Sequence, residues 1–172
     1  MIIARQDPLS QQTLDGVLVV RDGPLPHRFE RDDAELHHGG CLGGTQESFI
    51  LADYGTHVAE LQAVPALVER AERALAPLYT QAANGHDITA EERGQVAEII
   101  AAAKVRAIHA GLAATSGLFD LAGARSTATA HGLDRFWRNL RTLSLHDPVA
   151  YKQHELGQCF VNGQLPTPSG YR

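Results

Sequence analysis

The segment Gly132-Leu-Asp-Arg-Phe-Trp-Arg-Asn-Leu-Arg-Thr-Leu-Ser-Leu-His-Asp-Pro148 holds the residue types best suited to chemistry. At helical spacing, Leu133, Phe136, Trp137, Leu140 and Leu143 share one face, and Arg135, Arg138, Asn139 and Arg141 fall on the other, which predicts an amphipathic helix with a cationic side. A guanidinium donates paired hydrogen bonds in a fixed fork, so such a face suits a phosphate or a carboxylate. A solvated surface or a subunit contact accounts for the same pattern. His146 follows at a helix junction, because Asp is a good N-cap and Pro is tolerated in a first turn, so a last helix is expected from about Pro148. The open amides at a helix start attract an anion, and an imidazole beside them is placed to donate to, or accept from, a reacting oxygen. The structural alternative is an idle histidine at a corner.

Other chemistries find less support. His37-His38, His57, His86, His109, His131 and His154 have no metal-ligand spacing, and adjacent histidines on a helix point in different directions, so no metal site is expected. There is no serine-hydrolase elbow, Walker loop or dinucleotide fingerprint. Gly39-Gly40-Cys-Leu-Gly43-Gly44 lacks the preceding strand and the spacing of a phosphate cradle. Cys41 and Cys159 form neither a zinc pattern nor a disulfide framework, which favours a reducing cytoplasm. A net charge of −5, from 15 basic and 20 acidic residues, argues against nucleic acid as a partner. The first residues turn polar too soon for a signal peptide and no apolar run is long enough to span a membrane, so no membrane partner is expected.

These side chains need a scaffold, and 172 residues at 44% hydrophobic can bury one substantial core. Leu14-Asp-Gly-Val-Leu-Val-Val20, bounded by Arg21-Asp-Gly-Pro24, reads as a strand without a partner strand. After about residue 34 the composition favours helix. A glycine-weakened first helix is expected over roughly Ala34 to Tyr54. A second carries the stripe Leu61, Val64, Val68, Ala71, Leu75, Leu78, with Pro65 kinking it or marking its first turn. Asn84-Gly85 is a turn, and Thr89-Ala-Glu-Glu92 has the form of a capping box, which starts a third helix near Ala90. Its inner positions Val96, Ile100, Ala103, Ala107, Ala110 and Ala114 are mostly small and admit a close neighbour. The helix of the cationic face comes next, and the last stops at Asn162-Gly163.

Ala122-Gly-Ala-Arg-Ser126, Gly132 to Asn139, and Arg141-Thr142 through His146-Asp147-Pro148 resemble the C-terminal domain of the acyl-CoA dehydrogenase superfamily. The likeness is greatest to its flavin-dependent monooxygenase branch, which holds the dibenzothiophene monooxygenases and related sulfur-assimilation enzymes. It is specific over residues 118–163 and looser from about residue 12. Thr13 to Val20 resembles the last strand of the family's middle β-domain, and Gly39 to Gln46 its first bundle helix. The resemblance implies an all-α fold, a four-helix up-down bundle preceded by a residual β-strand segment. Residues 1–33 are then a remnant of the β-domain and linker, 34–163 the bundle, and 164–172 a loose tail.

By the same resemblance the complete protein binds flavin, FMN being favoured over FAD, and forms a homo-oligomer, a tetramer or dimer, through the bundle. A flavin reductase is the implied source of reduced flavin. His146 would stabilise or protonate a flavin-oxygen intermediate, and Ser126, Arg138, Asn139 and Arg141 would line the flavin side. The family also carries a flavin-contacting arginine in a link between the first two bundle helices, where this chain offers only Tyr54-Gly-Thr-His-Val58. The leading expectation is thus a reduced-flavin monooxygenase, present as a C-terminal fragment that by itself holds no stoichiometric flavin. One alternative is an acyl-CoA dehydrogenase acting on CH–CH groups, with Asp33 or Glu35, less well Glu47, as base. The other is a catalytically inactive oligomerisation module.

Overall fold

The computed structural model describes residues 47–167. The strand expected at Leu14–Val20, the glycine-rich Gly39–Gly44 segment, and the candidate bases Asp33 and Glu35 all lie outside these residues. Four α-helices follow one another: α1 (Ser48–Ala83), α2 (Ala90–Ala122), α3 (Asp134–His146) and α4 (Val149–Asn162). Two short 3-10 turns, Ala124–Thr127 and Thr129–His131, lie between α2 and α3.

Helix α1 runs unbroken for 36 residues, about 54 Å at 1.5 Å per residue. Residues 48–54, expected to end a first helix, are therefore continuous with the second, and Tyr54 to Val58 form no link. Gly55, Pro65 and Pro77 are all inside it. A proline within a helix costs about 3 kcal/mol in propensity, but Pro65 sits beside Val64 and Val68, which are 1% and 7% exposed against α2. Tertiary burial of that stripe outweighs the local penalty. The Glu47 carboxylate starts the helix by accepting from the Ile50 amide at 3.0 Å.

The Asn84-Gly85 turn, with Gly85 at φ +78°, reverses the chain into α2. There the expected capping box is complete: the Glu92 amide donates to Thr89 Oγ1 at 3.2 Å, and the Thr89 amide to Glu92 Oε2 at 2.9 Å. The Thr89 backbone and then hydroxyl hydrogen bonds lower the Glu92 carboxyl below its usual range. A depressed carboxylate stabilises the fold above its unfolded pKa and loses that contribution as pH falls through the folded value, so the box weakens in acid. Thr89→Ala is expected to lower stability by about 1 kcal/mol, read as a lower urea midpoint with unchanged slope.

Helix α2 is buried on two sides. One stripe, containing Ala103, Ala107 and Ala110, packs on Val64 and Val68 of α1, and Val96 is buried about two turns nearer the start of α2. A second, Gly94, Ala101, Lys104, Ile108, Gly111 and Thr115, recurs at the same three-and-four spacing and faces the C-terminal half of the chain. At Gly111 a Cβ would lie 2.6 Å from Leu140 Cδ2, so the missing side chain is what lets α3 approach; at Gly94 a Cβ would lie 2.8 Å from Leu165 Cβ. Leu165, just past α4, thus packs on α2. The pairs Gly111–Leu140 and Lys104–Asp147 set α3 antiparallel to α2, and His109–Gln153 with Gly94–Leu165 do the same for α4. The chain after α2 therefore returns along it as two helices broken at Asp147-Pro148. The hydroxyls of Thr115 and Ser144, both buried, donate to the Gly111 and Arg141 carbonyls at 2.8 and 2.7 Å, and no buried side-chain N or O among the described residues lacks a partner.

Candidate functional site on helix α3

The sequence makes α3 strongly two-sided, and the fold uses it so. Leu133, Leu140 and Ser144 are buried, Phe136 and Leu143 half-buried, and Trp137, at the border, remains 40% exposed. Gly132, in the left-handed region at φ +58°, turns the chain into this helix. Arg135, Arg138, Asn139, Arg141 and His146 are all exposed.

Within that exposed half the residues divide into two adjacent rows. Arg135, Asn139, Thr142 and His146 follow one another at spacings of four, three and four and form one row; Asp134, Arg138, Arg141 and Leu145 form the next. The imidazole and the Asn139 amide therefore share a row, two turns or about 10 Å apart, with the arginines of the second row beside them. Arg138 is tied to Asp134 through Nη2 at 2.9 Å, an exposed pair that orients the guanidinium more than it stabilises the helix. The Arg135 guanidinium lies 4.9 Å from the Phe136 ring centroid. Arg141 has no ionic partner among the described residues and projects its fork outward.

Ser126 belongs to a different element. It is 7% exposed in the 3-10 turn after α2, and its hydroxyl donates to the Gly123 carbonyl at 2.6 Å. That bond ties the hydroxyl proton to the turn, while the oxygen retains acceptor capacity.

His146 stands one step from its expected place. It is the last residue of α3, and Asp147 and Pro148 separate it from α4. Asp147 was expected to cap α4; instead α4 has no side-chain cap, and the Asp147 carboxylate turns inward to pair with Lys104. Lys104, 3% exposed, is the one buried charged side chain among the described residues. Sequence reading passed over it because only one inner stripe was assigned to α2. The signal was a lysine in register with Ala101, Ile108 and Gly111.

Elsewhere, Glu47 is engaged as the α1 cap. The half-buried Cys159 thiol is pushed up in pKa by burial and by a hydrogen bond to Glu98, which makes it a poor nucleophile at neutral pH. No group of three or more His, Cys, Asp or Glu among the described residues could hold a metal ion, and no helix among them is long and apolar enough to cross a membrane.

Comparison with known proteins gives this face a context. The family described as acyl-CoA dehydrogenase, C-terminal domain, matches residues 45–151. The chain is 44% identical over 131 residues to a probable FMNH2-dependent monooxygenase, SfnC, of Pseudomonas putida, an alignment covering 76% of this chain and 32% of that protein. The solved structure of methanesulfinate monooxygenase MsuC from Pseudomonas fluorescens superposes with a TM-score of 0.72 at 43% identity, over 79% of this chain and 34% of that one. FMN-bound TdsC from Paenibacillus sp. A11-2 does so at 0.71 and 38%, over 77% of this chain and 32% of that one. The chain thus spans about a third of the length of the relatives it matches.

Proposed function

Since the chain belongs to the acyl-CoA dehydrogenase family through its C-terminal helical domain, we propose that it forms the helical wall of a reduced-flavin monooxygenase in which α3 faces FMN. The observation that carries this reading is the exposed half of α3, where Asn139, Arg141 and His146 offer hydrogen-bond donors on a face that the bundle leaves uncovered. That donor set fits a flavin, whose ring carbonyls and phosphate are acceptors. FMN is favoured because SfnC is described as FMNH2-dependent and TdsC was solved with FMN bound.

When bound, reduced flavin supplies the electrons with which one atom of O2 enters an organic substrate and the other leaves as water. The residues of this chain contribute positioning and proton management. The Asn139 amide and the Arg141 fork fix acceptor groups in orientation. His146, at the end of α3, holds or delivers a proton at a developing oxyanion. Ser126 shapes the turn that aims α3, and its oxygen is available to a donor on the cofactor side. A separate flavin reductase in the cytoplasm supplies the reduced cofactor. By the same reading, residues 1–33 are a remnant of the β-domain and linker and 34–163 the bundle.

The chain also has apolar surface suited to self-association. Phe49, Tyr79, Phe160 and Val161 are 80%, 72%, 92% and 75% exposed, and Phe160 and Val161 are adjacent in α4. We assign them to assembly as a dimer or tetramer. The acyl-CoA dehydrogenase alternative is less favoured: Glu47, one of its candidate bases, already caps α1.

The test is FMN titration with sizing, on the chain alone and on a chimaera in which it replaces the matching third of SfnC. The chain alone is expected to carry no stoichiometric flavin, because one wall cannot preorganise the cofactor. The chimaera is expected to bind one FMN per subunit and to recover FMNH2- and O2-dependent turnover. A folded chimaera that binds no FMN would sink the reading.

A further inference from the structure

We propose that Lys104 is a positioning residue whose buried ammonium holds the Asp147 carboxylate, and thereby fixes the corner between α3 and α4 on which His146 stands. The inference rests on the proposed role of His146 for its catalytic consequence, and on geometry alone for the clamp itself.

Three observations converge. Lys104 sits in the α2 stripe whose neighbours are Ala101, Ile108 and Gly111, and it is 3% exposed. A cation so placed needs a compensating anion, and the side chain that meets it is Asp147, 28% exposed and 43 residues away. Asp147 occupies the break between helices, in extended backbone at φ −123° and ψ 93°, immediately after His146. Its carboxylate could have capped α4, the usual use of an aspartate before a helix start. Turning it inward leaves α4 without a side-chain cap and ties the corner to the central helix instead. Apolar packing holds the helices on either side, through Leu143 and Val149, but at the corner itself Leu145 and His146 are exposed and Asp147 and Pro148 half-buried, so the Lys104 pair is the polar tie there. A purely apolar residue at position 104 would fill space, but it would not fix the direction in which the chain leaves α3.

The test reads the corner directly in the full chain. In Lys104→Met, the His146 Cε1 proton resonance is expected to shift, and amides of residues 140–146 and 152–158 to exchange at least about tenfold faster, while amides 96–103 of the α1–α2 interface keep their protection. Lys104→Arg, which preserves the cation, is expected to restore the His146 resonance. Should Lys104→Met fail to fold, Asp147→Asn, at the more exposed partner, gives the same exchange readout. An unmoved resonance with unchanged exchange at the corner overturns the proposal, as does protection lost evenly across α1 to α4, which marks a general stabiliser. FMN affinity of the chimaera is scored separately. Its loss with an intact corner sinks the flavin reading and leaves the clamp standing.

Discussion

Replacing His146 with alanine in the FMN-binding chimaera lowers turnover by a factor of about 10² to 10⁴, the usual worth of a positioned proton donor or acceptor. The side chain is exposed at the end of α3 and no hydrogen bond or ion pair holds it among the described residues, so its removal leaves the packing of Leu140 and Ser144 untouched. The loss therefore falls on the catalytic rate while the urea midpoint stays where it was. Asn139→Ala and Arg141→Ala act on orientation instead, and raise the FMN requirement more than they lower the saturated rate. His146→Gln separates the two roles, because an amide keeps hydrogen-bonding capacity and loses proton transfer. Turnover in His146→Ala within a few-fold of the parent would show that the imidazole is an idle corner residue, and the proton would have to be managed by groups outside α3.

How much of this was legible depends on whether one element or two had to agree. Helix α1 announces its buried face through Val64, Val68 and Ala71, the capping box at Thr89 and Glu92 marks the start of α2, and Gly163 in the left-handed region ends α4 after Asn162. Each is a local rule confined to one helix. The cationic face of α3 was equally visible, since a single amphipathic period separates Arg138 and Arg141 from Leu140. What escaped were features set by contacts between helices. Pro65 suggested a boundary, yet packing of its neighbours on α2 carries the helix through it. Ile100 and Ala114 were assigned to the core and are only half-buried, whereas Ile108 and Gly111, on the other stripe, are more deeply placed. A helix packed on two sides has two overlapping stripes, and a search for one period finds only the first. Asp147 obeyed its local preference on paper but was claimed by a lysine 43 residues away. The resemblance that named the family drew on the α3 segment, the same stretch whose donors remain at the surface.

Ile108→Ala is expected to be the most damaging conservative truncation, costing about 4 kcal/mol. Ile108 is 0% exposed and is the largest fully buried side chain in the described part of the chain. Its surroundings explain why the cost lies toward the upper end of the range for such changes. The cluster around it holds Ala103, Ala107 and Ala110 on α2, whose methyls cannot swing into a vacated space, and the β-branched Val64 and Val68 on α1, while α3 is already held against the α2 backbone at Gly111 through Leu140. The cavity consequently persists, and its lining loses contacts on one side. Set against a total stability of about 5–15 kcal/mol for a domain of this kind, a single truncation removes a large fraction of it. Ile108→Val, which leaves most of the volume filled, should cost about 1 kcal/mol. Phe160→Ala, at 92% exposure, should leave the unfolding midpoint of the separated subunit unchanged and weaken only association. Urea unfolding of the three variants at a concentration that dissociates any oligomer provides the measurement. A midpoint for Ile108→Ala close to that of Phe160→Ala would mean that the second stripe of α2 is not a core, and the close approach of α3 to Gly111 could not then be what holds the cationic face in place.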